Sequence, residues 1–242
     1  MADTIECVVI GAGVIGLAIA REMAAAGLET IVLEKENRIG TSTSSRNSEV
    51  VHAGIYYMAG SLKARTCVAG KAMLYDYCRE RGVGYSRCGK LIVATAEDEV
   101  PALRQIMARA EANGVNDLVL LDREQALELE PELQCEAAIL SPSTGIVDSH
   151  ELMLSLQGDL ENSGGAVAVE SPVTGGTVTG DGVVLQVGGD EAFELLAQRI
   201  INSAGLGARD VATCIDGMPA EQVPAIHMAK GCYFSYGHRA PF

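Results

Sequence analysis

The chain contains no tryptophan, and no window approaches the uninterrupted apolar span that a membrane helix needs. No integral membrane segment is expected. Basic residues are scarce: 18 Lys and Arg stand against 32 Asp and Glu, a net charge of −14. That balance disfavours nucleic acid and anionic membrane surfaces as partners. Residues 1–6 carry Asp3 and Glu6 but no Lys or Arg, so the apolar run from Cys7 to Ala20 is not the core of a secretory signal. The seven cysteines are an odd number without CxxC or other metal spacing. No metal site is expected, and they read as reduced thiols of a cytosolic protein. A cytoplasmic location, free or loosely attached to a membrane, is the resulting expectation. With 48% hydrophobic residues, 242 residues suffice for one large domain or two small ones.

The first forty residues carry the strongest pattern. Cys7-Val8-Val9-Ile10 is a short β-branched strand, and Gly11-Ala12-Gly13-Val14-Ile15-Gly16 follows it directly. Leu17 to Ala26 is an alanine-rich helical stretch stopped by Gly27, and Thr30 to Leu33 is a second strand ending at Glu34. In that context Gly11 turns the chain out of the strand, Gly13 admits a pyrophosphate to the backbone, and Gly16 lets helix and strand pack closely. The helix N-terminus offers N–H groups and a positive dipole end to phosphates. Glu34 follows Gly11 by 23 residues and is placed to accept hydrogen bonds from ribose hydroxyls. The bland alternative is a buried βαβ unit whose glycines only turn the chain.

Beyond Lys35, residues 41–48 are eight consecutive polar positions, suited to hydrogen-bonding phosphates and a ring edge. A flexible loop is the alternative. Ser61 caps a helix from Leu62 to Arg81 that Gly82 ends, with Val68, Met73, Leu74 and Tyr77 as its apolar positions. Between Thr41 and Lys90 eight basic residues face three acidic ones, a basic island fit for an anionic small molecule.

Further expected elements are a strand from Gly89 to Thr95, a helix from Glu97 to Ala112, a strand from Leu118 to Leu121 and an acidic helix from Arg123 to Glu130. A strand over Ala137 to Ser141, a turn over Thr144 to Asp148 and a helix from Ser149 to Asn162 come next. A β-meander follows, with strands at Val167–Val173, Thr177–Thr179, Val183–Val187 and Phe193–Ala197 and with Gly175-Gly176 as one of its turns. Arg199 to Gly205 makes another strand, Ala208 to Ile215 a helix, and Ala225 to Ser235 a last strand. The order implies an α/β fold, a parallel nucleotide-binding sheet interrupted by insertions. Residues 1–84 and 143–217 would form the nucleotide domain; 85–142 and 218–242 would belong to a second.

These residues resemble FAD-dependent oxidoreductases of the D-amino-acid oxidase class. Within it, Arg46 to Tyr57, Gly60 to Ala64, Cys88 to Ala94 and Thr144 to Asp148 resemble the L-2-hydroxyglutarate dehydrogenases or oxidases. The resemblance implies a Rossmann-like FAD-binding domain with a discontinuous α+β substrate domain, and a chain truncated at its C-terminal end. It also implies that Gly11, Gly13, Val14, Ile15, Gly16, Glu34 and Lys35 hold the ADP part of FAD. The loop Ser44, Ser45, Arg46, Asn47 and Ser48 would lie along pyrophosphate and flavin, Val173 would meet the adenine, and Ala204 and Gly205 would let the backbone pass close to the phosphates.

The implied reaction moves a hydride from a 2-hydroxy acid to flavin N5, with oxygen or a quinone as final acceptor. The flavin does the redox step and the protein supplies position and a base. His52 is the candidate base, because an imidazole works near neutral pH; a flavin-contacting or covalently attached His, or a core His, are the alternatives. Tyr56, Tyr57, Lys63, Lys90 and then Lys230 are candidates to bind the anionic substrate. The rival functions are an amine oxidase of the same class acting on a D-amino acid, glycine or sarcosine, and a non-catalytic FAD-binding fragment.

Overall fold

The computed structural model describes residues 3–233. In chain order the elements begin with β1 (Asp3–Ile5), β2 (Cys7–Ile10), α1 (Val14–Ala25), β3 (Thr30–Leu33), β4 (Val50–Val51) and α2 (Leu62–Arg81). They continue with β5 (Tyr85–Ser86), β6 (Leu91–Ala94), α3 (Val100–Ala112), β7 (Val119–Asp122), α4 (Arg123–Leu129), β8 (Ala137–Leu140) and β9 (Gly145–Val147). The rest are α5 (Ser149–Asn162), β10 (Ala166–Ala168), β11 (Val173–Val178), β12 (Val183–Val187), β13 (Phe193–Ala197), β14 (Ile200–Asn202), α6 (Ala208–Thr213) and β15 (Ile215–Asp216). The chain divides into two compact units, Met1–Asn47 with Ser149–Ala229 and Ser48–Asp148 with Lys230–Phe242.

The first unit holds a four-stranded sheet in the order β10-β3-β2-β14, with every pairing parallel. β2 is wholly buried, as a central parallel strand covered on both faces must be. One face packs on a five-stranded sheet, β1-β13-β12-β11-β15, through Val8, Ile10, Leu33, Leu185, Val187, Leu195 and Ala197. Burying each of the larger of these side chains contributes about 1.5–3 kcal/mol. α1 and α5 pack against each other; α1 buries Leu17, Ala20 and Ala24, α5 buries Leu152, Met153, Leu156 and Leu160. Arg21 Nε donates to Asp159 Oδ2 at 3.0 Å between these two helices.

The second unit has two antiparallel three-stranded sheets, β4-β9-β5 and β6-β8-β7. Ala53, Ile55, Ala110 and Val115 form one small core, and Ala94, Leu103, Ala137 and Ile139 another. α2 runs as the caps predict: the Ser61 hydroxyl accepts from Ala64 N at 3.2 Å, and Gly82 ends the helix at φ +71°. Its buried face is Ala64, Tyr75 and Cys78, whereas Met73 is exposed.

Several expectations are corrected. The break between units falls after Asn47 rather than near residue 84, because β4 pairs with β9 and the Tyr75 hydroxyl donates to Ser143 O, tying 48–84 to the second unit. The expected strand 167–173 is two strands in different sheets, separated where Glu170 takes φ +53°. Gly175 and Gly176 are not a turn. They lie inside β11, where a Cβ on Gly175 would meet Gln186 Oε1 at 2.6 Å and one on Gly176 would meet Val184 O at 2.9 Å. The expected turn over 144–148 contains β9, the central strand of its sheet. Residues 225–233 form no strand, since no neighbour among the described residues supplies ladder bonds; 234–235 and His238 lie outside the described residues.

Candidate functional site

The first cluster is built mainly from backbone. Gly11 turns the chain at φ +102°, and its N–H donates to Leu33 O at 2.8 Å. A Cβ on Gly11 would lie 2.6 Å from Ser203 O, and one on Gly16 would fall on the Gly11 carbonyl oxygen. The glycines therefore let the turn, α1 and the end of β14 touch. α1 begins after Gly13, with no side-chain cap of its own and no acidic residue in its first turn. That end carries the positive pole of the helix dipole, which suits a bound anion. The Ser44 hydroxyl accepts from Val14 N at 3.0 Å, and a Cβ on Gly13 would meet that hydroxyl at the same distance. Ile15, in the first turn, is exposed.

Glu34 is 9% exposed and has no cationic side-chain partner among the described ion pairs. Backbone satisfies it instead: Oε2 accepts from Ala12 N at 2.7 Å and Oε1 from Glu36 N at 3.0 Å. Each oxygen keeps a further acceptor site, enough for a ribose hydroxyl. Nearby, Ser171 N donates to Glu34 O at 2.8 Å, and Val173 packs against the Ile10–Leu33 core. Ala204 packs against the same core; Gly205 sits at φ +56° with open space where a Cβ would point. These residues fit the ADP half of a dinucleotide.

The loop residues are less convergent. Asn47 Nδ2 donates to Ser44 O at 2.8 Å, the Ser45 hydroxyl donates to Ser42 O, and Arg46 folds back on Ser45. Lys35 is exposed beside Glu36, 3.5 Å from its carboxylate. Ser48 falls in the second unit, where its hydroxyl bonds that of Tyr233 at 3.3 Å.

The second cluster is built from side chains, all within the second unit. Lys63 Nζ lies 4.8 Å from the Tyr57 ring centroid, and Lys90 Nζ lies 4.7 Å from that of Tyr56. Burial, then the Lys90 and Lys63 charges, hold the His52 imidazole below its ordinary range. It is therefore neutral at physiological pH and able to accept a proton. Beside it, Cys67 Sγ donates to His52 O at 3.4 Å. Burial and the Cys67 neighbour push the Tyr57 hydroxyl up, and burial pushes the Cys67 thiol up, so both stay protonated. The structure brings His52, Tyr56, Tyr57, Lys63 and Lys90 together; Lys230 lies in an exposed, irregular segment.

Sequence reasoning missed three contributors. Asn113 Nδ2 donates to Gly54 O at 3.0 Å and to Tyr57 O at 2.9 Å, pinning the turn that carries both tyrosines. Its only sequence signal was the Asn-Gly that ends α3. Ser203 supplies the carbonyl against Gly11, and the Ser149 hydroxyl reaches Ser44 O at 3.4 Å.

The family model for FAD dependent oxidoreductases, DAO, matches residues 6–240. The L-2-hydroxyglutarate dehydrogenase, mitochondrial, of Arabidopsis thaliana is 40% identical, covering 99% of this chain and 56% of that protein. The protein of the same name from Homo sapiens is 40% identical over 72% of this chain and 38% of its own length. The chain thus spans about half or less of the curated relatives it matches. Among solved structures, L-alpha-glycerophosphate oxidase from Mycoplasma pneumoniae superposes with a TM-score of 0.83 at 26% identity, covering 88% of this chain and 57% of that one. Glycine oxidase from Geobacillus kaustophilus gives 0.77 at 23% identity over 88% and 58%, a likeness of fold.

One expectation is overturned. The curated relatives are named mitochondrial, which conflicts with a cytoplasmic location. Seven free thiols, the observation behind that expectation, speak for a reducing environment and do not distinguish one such compartment from another. No helix among the described residues is long and apolar enough to cross a membrane. With a family model matched over nearly its whole length and a fold shared with solved members, the chain belongs to the DAO family of FAD-dependent oxidoreductases.

Proposed function

We propose that this protein takes part in the FAD-dependent oxidation of L-2-hydroxyglutarate to 2-oxoglutarate. The observation that carries this reading is 40% identity to an L-2-hydroxyglutarate dehydrogenase across 99% of the chain. Fold alone would not choose among the family's substrates. In this reading the unit with the parallel sheet is the FAD-binding domain and the second unit the substrate domain. Gly11, Gly13, Val14, Ile15 and Gly16 cradle the pyrophosphate, Glu34 takes the ribose, Ser44 to Asn47 line the loop beside it, and Val173, Ala204 and Gly205 complete the wall. When bound, FAD supplies the acceptor for the hydride that leaves the substrate's α-carbon.

His52 removes the hydroxyl proton. Its lowered proton affinity, caused by burial and the neighbouring lysines, keeps the imidazole in the form a base requires. The positive charges of Lys63 and Lys90 attract an anionic substrate in a chain that is otherwise strongly acidic. The test is an anaerobic titration of the purified, flavin-loaded protein. Bleaching of the flavin bands by L-2-hydroxyglutarate and not by amino acids is the expected result. Bleaching by glycine, sarcosine or a D-amino acid instead would overturn the substrate assignment.

A further inference from the structure

The segment that carries the candidate base has no ladder to hold it. Residues 52–57 follow β4 and lie in neither helix nor strand. Side chains from two helices meet its backbone carbonyls instead. Asn113, at the end of α3, donates to Gly54 O at 3.0 Å and to Tyr57 O at 2.9 Å. Cys67, within α2, donates from Sγ to His52 O at 3.4 Å. Asn113 thus fixes the tyrosine end of the segment and Cys67 the histidine end.

Further contacts converge on the Cys67 joint. The Tyr57 hydroxyl bonds the same sulfur. Lys63, one turn earlier on α2, lies over the Tyr57 ring. Val68, the next residue along, packs so near that a Cβ on Gly54 would stand 2.7 Å from its Cγ2. Thr66 shows the other course open to a side-chain donor on this helix. Its Oγ1 turns back to Leu62 O at 2.8 Å, a bond within the helix that Ser and Thr commonly make. The Cys67 thiol bonds away from the helix, to the segment that carries His52. A thiol is a weak donor, so its contribution lies in placement rather than in strength.

We propose that Cys67 is a positioning residue for His52: through the His52 carbonyl it sets where the imidazole stands relative to Lys63, Lys90 and the substrate. The inference rests on the reading of His52 as the base. A catalytic group displaced by about 1 Å can lose as much as about 10²-fold in rate. Such a loss falls on the chemical step and leaves substrate binding largely intact.

The experiment uses the flavin-loaded protein and two readouts. Proton NMR follows the His52 imidazole, identified as the resonance missing from His52→Ala, through a pH titration. Stopped-flow mixing follows anaerobic reduction of the flavin by L-2-hydroxyglutarate. Cys67→Ala removes the donor, and Cys67→Val removes it while keeping a side chain of similar bulk. In both variants the imidazole is less confined beside Lys90 and Lys63, so its titration midpoint should rise toward the ordinary His value. Flavin reduction should slow at least about fivefold at saturating substrate, with the half-saturating concentration changed by less than about twofold. In a His52→Ala background Cys67→Ala should add less than about twofold, because it acts through the residue already removed. Thr66→Ala, beside it on the helix, should match the wild type in both readouts. An unmoved midpoint in both Cys67 variants, a wild-type rate in Cys67→Val, or a fully additive loss on top of His52→Ala would overturn the proposal. A midpoint that moves in a protein whose flavin L-2-hydroxyglutarate never bleaches keeps the Cys67 joint and removes the reaction. Bleaching with variants that titrate and react as the wild type keeps the reaction and removes the joint.

Discussion

The two clusters are made of different material. Around Gly11 the working groups are backbone: the N–H of Ala12 on Glu34, the N–H of Val14 on Ser44, and the Ser203 carbonyl against a glycine that tolerates no Cβ. Around His52 they are long side chains, two lysines over two tyrosines, with one asparagine beneath. Backbone sites are rigid and fail sharply when a single atom is added. Side-chain sites are adjustable and fail by degrees. Substitutions in each should expose that contrast.

The largest effect is expected from Gly16→Ala. The new methyl would fall on the Gly11 carbonyl oxygen, against backbone that cannot give way without separating β2 from α1. A loss of several kcal/mol, in the range of severe core overpacking, should appear as a large drop in Tm and an absence of bound flavin. Retained flavin at wild-type stability would show that the turn is more pliable than the geometry says. In the second cluster His52→Ala should lower turnover by about 10²-fold while glutarate still binds. Unchanged flavin reduction would remove His52 as the base.

Asn113→Ala removes two hydrogen bonds to Gly54 O and Tyr57 O and leaves those carbonyls to find other donors. It should cost about 1–3 kcal/mol in chemical denaturation and raise KM more than it lowers kcat. An effect on stability alone would make Asn113 structural only. The smallest effect concerns pH. The folded imidazole has its proton affinity lowered, so the base becomes active as pH rises through a midpoint below the ordinary His value of about 6.5. Lys90→Gln removes the larger of the two lysine contributions and should move the acid limb of kcat/KM upward, toward that value. A limb that stays put would separate Lys90 electrostatically from His52.

The same contrast explains what was legible in the sequence. The turn at Gly11, Gly13 and Gly16 was readable because a strand that turns so tightly into a helix leaves no room for a Cβ at Gly11 or Gly16. α2 was readable from Ser61 and Gly82, two local caps. β11 was not, because its Gly175-Gly176 carries the local signature of a turn. What makes it a strand is β12 alongside, whose Gln186 side chain and Val184 carbonyl need the space. β9 was hidden in the same way, as a three-residue strand that exists only between β4 and β5. Asn113 could not be assigned, because its partners lie 56 and 59 residues upstream. The lysines were legible as a basic island, but the rings that hold them were not legible as their seats.

The parallel sheet also sets a schedule. β2 spans Cys7–Ile10, yet one of its two neighbours is β14 at Ile200–Asn202, paired residue for residue from Val8 to Ile10. At about 5–20 residues per second, a ribosome needs roughly 10 to 40 s to make the intervening chain. Through that time a strand that is fully buried in the finished fold offers one open edge to whatever is nearby. Pairing across so long a stretch is also slow in its own right. The nascent protein should therefore associate with holdase chaperones until β14 emerges.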